Sequence, residues 1–509
     1  MAGFPEEDEL RVVDMLLARN VRKPDTPWHY FSILSYTNFA RGAAHPRREA
    51  ATGLEPFTPT HHLTYTLVFW AWFIMALGYS VSGLHKLGCA SWRDGSALRR
   101  VLENPLARDT ALRSALLASP PWVLQCATWG TLALEVLFAP ACLFRPTRRV
   151  AAWLMVAMHA GITCTVDFAD LTLGVLQVHA FTYPSLFRDT AWDDALGHFR
   201  PWQFRLFTSC LGTYLAVHFA QLLPYAPALF STAGMLPDSA LLPTAAFPSL
   251  LSSSSGLLRG AAGSQALVAV LLALSCALAS QRPAIRAPVC LALYAGWAML
   301  ANRNPFIANP GLPYVGWLLL ACALWQEEED PAAVPPAARR QWSATQTLRC
   351  AAANALGLLG CLQAVGFYGA WPALRGLAAL SLASPLPLAF SHFAGHETFS
   401  NTFAYAAVTA SGRHLAGAIG PQLYGRLKGA YNYKNTFGAA LSYGPFFTEP
   451  WALAARDAVL QHGFCEPGHV VASSGFAGGE ALRGVNITVA EHPDRGTQQW
   501  VLQVVCTGR

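Results

Sequence analysis

The sequence predicts an all-α polytopic membrane helix bundle, of about 8–10 transmembrane helices, followed by a small α+β extramembrane C-terminal domain. Three observations carry that expectation. Of 509 residues, 53% are hydrophobic and only 13% are charged, against about 25% charged in soluble domains. Apolar stretches of membrane-crossing length recur between residues 62 and 391, and in lipid only helices and closed barrels satisfy their own backbone groups. From residue 392 onward Gly, Asn, Tyr and charge return. The same composition excludes a soluble multidomain enzyme over most of the length. It also excludes a disordered chain, which needs high charge and few aromatics.

Residues 1–61 read as a polar, cytoplasmic N-terminal segment, in which DELRVVDMLLARNV fits a short amphipathic helix. The start, MAGFPEEDEL, is acidic and lacks an apolar h-region, so insertion is expected to rest on the first membrane helix. That helix is 62–84, long enough to cross about 30 Å of hydrocarbon. A polar connection (88–119), a second span (120–144) and a basic turn, RPTRR (145–149), follow. Apolar runs at 150–166, 171–187 and 205–228 complete a first bundle, 62–228. Residues 229–263 form a Pro/Ser-rich connection. A second group of spans, 264–391, comprises 264–280, 284–301, 312–326 and 348–368. The charged, Pro-rich segment QEEEDPAAVPPAARRQ interrupts that group. The run 372–391 contains Arg375, Pro385 and Pro387 and reads as an interfacial helix or a further crossing. NRNPFIANPGLP reads as a Pro-broken loop, with Asn309 as a helix cap and Pro310 at the first helical position. In the tail, 392–509, VNITVAEH and QQWVLQVVC have strand character, and the aromatic YNYKNTFGAALSYGPFFTEP suits a membrane interface.

The basic turn carries Arg145, Arg148 and Arg149 without an acid, which places it on the cytoplasmic side. Residues 88–119 and the end of the first span then face the opposite side. The net charge of +6 is spread as scattered arginines with no stripe, so no nucleic-acid partner is expected. The expected partners are the lipid bilayer and a protein docking on the C-terminal domain. The compartment is an endomembrane or the plasma membrane. Ten of the twelve cysteines lie in or beside apolar segments, as small buried hydrophobes do. Cys465 and Cys506 lie in the polar tail and are a candidate disulfide in an oxidising compartment. Asn486-Ile487-Thr488 is a candidate glycosylation sequon. Both features favour a non-cytoplasmic tail.

Three intramembrane polar residues are candidates for chemistry. Lys86, one of four lysines, ends the first span. Burial disfavours its ammonium, and a neutral amine is a base or a nucleophile; the competing reading is a side chain snorkelling to the interface. Glu135 lies at mid-depth in TWGTLALEVLFAP and has no snorkelling route, so it needs a partner: Lys86, His159 or Arg149. A structural contact between helices and a proton-handling role both satisfy it. His159, in LMVAMHAGITC, reads as a packing histidine or as a proton carrier. Asp170 is expected to cap the next helix. SWRDG reads as a turn folding the loop back over the end of the first helix. No GxGxxG, P-loop, HExxH or zinc spacing is present, so no metal site is expected.

From residue 65 to residue 187 the order and spacing of YSVSGLHKL, SWRDGSAL, NPLAR, TWGTLALEVLFAP, AMHAG and DLTLGVLQVHAFTYPSLF resemble the HTTM domain. This is the membrane domain of vitamin K-dependent gamma-carboxylase and its bacterial relatives, and the likeness is to the bacterial type. The resemblance implies that Lys86 is the base that deprotonates a reduced quinone of the vitamin K type, and that His159 matches a family histidine. Two functions follow as expectations. One is a membrane enzyme that uses a lipid-soluble quinol, with Lys86 as base and Glu135 or His159 tuning protonation. The other is a non-catalytic scaffold or subunit that keeps the HTTM fold. A transporter ranks third, since no inverted repeat is visible.

Overall fold

The computed structural model describes residues 59–142, 145–182, 201–236, 260–326, 343–386, 388–427, 429–466, 477, 480–492 and 498–506. The N-terminal segment up to residue 58, most of the 229–263 connection and nearly all of the charged segment 326–341 lie outside them. Helix α1 (Pro59–Lys86) runs the depth of the bundle. Three short helices, α2 (Ala90–Asp94), α3 (Ala97–Glu103) and α4 (Ala111–Ala118), turn the chain back into α5 (Pro121–Cys142). SWRD is a helical turn closed by Gly95 at φ +84°, a left-handed position that suits glycine. Then come α6 (Arg145–Thr165), α7 (Ala169–Thr182), α8 (Pro201–Leu222) and α9 (Ala226–Phe230). The second group is α10 (Ala261–Ala279), α11 (Pro283–Arg303), α12 (Leu312–Leu324) and α13 (Ala344–Tyr368).

Among the described residues six helical stretches are long and apolar enough to cross a membrane: Thr66–Lys86, Pro121–Cys142, Trp202–Phe230, Ala261–Ala279, Pro283–Arg303 and Ala344–Tyr368. This is fewer than the sequence suggested, for physical reasons. Helix α6 opens with three arginines, and α7 and α12 are described over only 14 and 13 residues. The run 372–391 is not a crossing helix: α14 (Pro372–Ser381) has 10 residues and packs on α13. The cap of α12 is Gly311, not Asn309; Asn309 instead accepts the Gly311 N–H at 2.9 Å.

The two helix groups share one apolar core. Trp70 of α1 lies against Gly357 of α13, where a Cβ would collide with the indole, and donates to Asn354 at 3.1 Å. Helices α1 and α5 approach so closely that a Cβ on Gly83 would lie 2.6 Å from the Val136 backbone nitrogen. Beside that contact the Ser80 hydroxyl enters the α5 ladder: it accepts from Ala139 N–H at 3.0 Å and donates to Glu135 C=O at 3.3 Å. The insertion falls next to Pro140, which has no N–H of its own to give.

The tail forms a four-stranded antiparallel sheet in the order β2-β1-β3-β4: β1 (Thr402–Thr409), β2 (His414–Ala418), β3 (Leu482–Ala490) and β4 (Gln499–Val505). Helices α15 (Pro421–Gly425), α16 (Tyr431–Tyr443) and α17 (Pro450–Cys465) lie between β2 and β3. Val485, Ile487 and Val489 point inward, and Asn486 stands on the exposed face. Cys465 ends α17 and is bonded to Cys506 just beyond β4. The aromatic segment 431–450 is not a free interfacial strip. Helix α16 docks on the bundle: Asn432 donates to Asp170 at 2.7 Å, Lys434 to Asp167 at 2.6 Å, and Asn435 to the Phe306 carbonyl at 3.5 Å. Asp167, Asp170, Phe306 and the Lys86 end of α1 therefore share one end of the bundle with the tail. Arg148, in the first helical turn of α6 and not in a loop, is at the other.

Candidate functional site

Tyr79, Ser82 and Lys86 follow one another at spacings of three and four residues, so one face of an otherwise apolar helix carries three polar groups. Helix α5 brings Glu135 opposite. The Lys86 ammonium nitrogen lies 2.6 and 2.5 Å from the two Glu135 carboxylate oxygens and 3.2 Å from the Ser82 hydroxyl. Lys86 is 2% exposed and Glu135 6%. The lysine does not snorkel. Of the three partners open to Glu135, the structure selects Lys86. Arg149 is exposed at the far end of the bundle, and His159 bonds elsewhere.

The lysine nitrogen also sits 5.0 Å from the Trp92 ring centroid, over its face. Trp92 is held by its indole N–H, which donates to the Phe390 carbonyl at 2.8 Å. It belongs to an apolar cluster with Cys89, Leu132, Val166 and Phe399. The loop after α1 thus does fold back over the helix end, and the segment entering the tail covers it. Burial pushes the Cys89 thiol up to about 12, with the Glu397 carboxylate adding to the shift. His85, next to Lys86 in the chain, faces away and lies 4.0 Å, ring to ring, from His392.

His159 joins a second cluster. Its Nε2 lies 2.6 Å from the Tyr79 hydroxyl, which is 2.9 Å from Nε2 of His179. All three are buried, and Phe138 packs edge-on against Tyr79. The sequence does not single out Tyr79, and His179, in an apolar run, reads there as the less informative histidine. The legible signal was the polar face 79, 82, 86 on α1, which points at whatever α6 and α7 bring to it.

Asp170 is not a helix cap. It lies inside the first turn of α7 and accepts from His218 at 3.2 Å, Tyr214 at 3.3 Å and Asn432 at 2.7 Å. Asn486 is exposed on β3. No group of three or more metal-ligating side chains occurs among the described residues.

No family model, no curated protein and no solved structure matches the chain.

Proposed function

We propose that the protein is an integral, multi-pass membrane enzyme of the HTTM type, in which Lys86 is a buried base acting on a lipid-soluble quinol. The observation that carries this reading is the Lys86–Glu135 contact. Removing two ions from water costs several kcal/mol each unless they are closely paired. A snorkelling lysine would have avoided that cost. The pair is isoelectronic whether the proton rests on nitrogen or on oxygen. Glu135 therefore gives Lys86 a route to the free amine that imports no net charge into the core.

The residues suit a flat aromatic alcohol in kind: the face of Trp92, apolar walls from Leu132 and Phe399, and a base at the edge. A bound reduced quinone would supply an acidic hydroxyl and an oxidisable ring. The Lys86 ammonium passes one proton to Glu135, the free amine then accepts the quinol proton and pairs as ammonium with the quinolate, and Ser82 and Trp92 fix the amine's direction. The overlying segment 390–399 keeps water from the amine. The reading extends to sidedness. The tail shares the Lys86 end, opposite the arginine turn, and carries a disulfide, which supports a non-cytoplasmic tail with Asn486 open to glycosylation.

The test is binding and oxygen-dependent epoxide formation from reduced menaquinone and phylloquinone, comparing purified wild type with Lys86→Ala. Lysine-dependent turnover is the expected result. A folded wild type that neither binds nor converts either quinol overturns the enzyme reading and leaves a scaffold that retains the fold.

A further inference from the structure

The geometry points to Tyr79, His159 and His179 as a hydroxyl-bridged proton relay whose ligand-facing end is Nδ1 of His159. The three residues come from α1, α6 and α7, so the cluster ties three helices at one level of the core. Tyr79 owns one hydroxyl hydrogen and touches two imidazole nitrogens, at 2.6 and 2.9 Å. It donates to one and accepts from the other. With both rings neutral, the two histidines hold opposite tautomers: one has its hydrogen on Nδ1, the other on Nε2. A merely packed pair of histidines carries no such constraint.

The second observation is at His159. Its Nδ1 is buried and has no hydrogen-bond partner among the described residues, in a side chain 3% exposed. An orphaned polar atom at this depth is unfavourable, and a ligand hydroxyl donating to it would satisfy it. Tyr79 stands two helical turns from Lys86 on the same face of α1, about 10 Å along the axis. The cluster therefore lies about two helical turns deeper in the bundle than Lys86, on the face of α1 that they share.

The proton balance closes without another reagent. A proton reaching Nδ1 of His159 is matched by its Nε2 hydrogen passing to the Tyr79 oxygen. The Tyr79 hydrogen passes in turn to Nε2 of His179. Only N–H and O–H bonds change, and the positive charge moves from α6 to α7. Tyr79 and His179 are positioning residues for His159, which alone meets the ligand. This role rests on the Lys86 reading for its proton source, but its geometry is tested separately.

The structural readout is ¹⁵N NMR of labelled protein in detergent, with His159→Asn and His179→Asn assigning the two rings. The wild type should show one Nδ1–H and one Nε2–H tautomer, and Tyr79→Phe should abolish that pairing. Identical tautomers at 159 and 179 in the wild type would overturn the relay. The functional readout is turnover of reduced menaquinone by Tyr79→Phe and His179→Gln. Turnover should fall by about ten- to a hundredfold, with an altered pH profile and unchanged quinone affinity. Full rate and an unaltered profile in both variants remove the relay while leaving Lys86 as base. If the wild type itself has no turnover, the Lys86 reading fails and the relay loses its proton source with it, while the tautomer measurement still decides the hydroxyl bridge.

Discussion

Glu135 and Asp170 are both buried carboxylates on apolar helices, yet their surroundings differ in kind. Glu135 faces one flexible cation, Lys86, which holds both of its oxygens. Asp170 is held by three donors from two other elements, His218 and Tyr214 on α8 and Asn432 on α16. The donors of Asp170 are stiff, and they fasten the tail to the bundle. The contact of Glu135 joins two neighbouring helices that Gly83 and Ser80 already lock together. A carboxylate that fastens elements needs several fixed donors; the proton exchange proposed for Glu135 needs a single partner able to release a proton.

The clearest effect that separates the two comes from Lys86. Lys86→Ala leaves Glu135 buried without its counter-charge and should cost about 3–5 kcal/mol of stability, measured by unfolding in detergent. The double variant Lys86→Met/Glu135→Leu replaces the pair by apolar volume. It should recover that loss, by up to about 1–4 kcal/mol beyond wild type, and remain without turnover. A double variant as unstable as the single would mean that the pair is a fastening after all.

Asp170 should behave in the opposite way. Asp170→Ala leaves the Asn432 amide and the His218 and Tyr214 donors without their acceptor, at about 1–3 kcal/mol for each group that stays dry. Asp170→Asn keeps an acceptor oxygen and should lose less than half as much. A smaller step is Asn432→Ala, which removes one charge-assisted bond worth about 1.5–3 kcal/mol. Hydrogen exchange should quicken in α16 and hardly change in α5. Uniform quickening of both helices would erase the distinction between the two carboxylates.

The bundle was legible because apolar length and scarce charge are properties of composition, and the pairing of Glu135 was legible because a mid-depth carboxylate must find a cation. Which cation it found depended on helix approach, set by Gly83 and by Ser80 entering the α5 ladder, and neither has a periodic signature. Strands β3 and β4 alternate clearly, whereas β1, with alanines on both faces, does not. His179 was passed over because a histidine in an apolar run reads alike whether it packs or bonds. Only the shared level of α1, α6 and α7 distinguishes the cases. Asp170 looked like a cap since helix starts favour Asp, but the helix begins at Ala169, two residues earlier than such a cap requires, and the side chain accepts from Asn432 instead.

Cys89 gives the smallest and most local test, because it reports on the cover over Lys86 without touching the pair. Its thiol ordinarily ionises near 9 and is raised to about 12 by burial beneath the segment that carries Glu397. A thiol raised in the folded state keeps its proton there and loses it on unfolding. Stability due to this group is therefore complete below about pH 9 and falls as pH rises from 9 towards 12. Wild type should lose unfolding free energy over that window relative to Cys89→Ala, and the difference should be flat from pH 7 to 9. In the folded protein Cys89 should resist alkylation at pH 8, since the thiolate is the reactive form. If the segment 390–399 instead lifts from the bundle, the thiol regains water, its ionisation returns towards 9, and alkylation proceeds at neutral pH. The Lys86 amine would then also stand open to water, and its burial could no longer be what distinguishes Glu135 from Asp170.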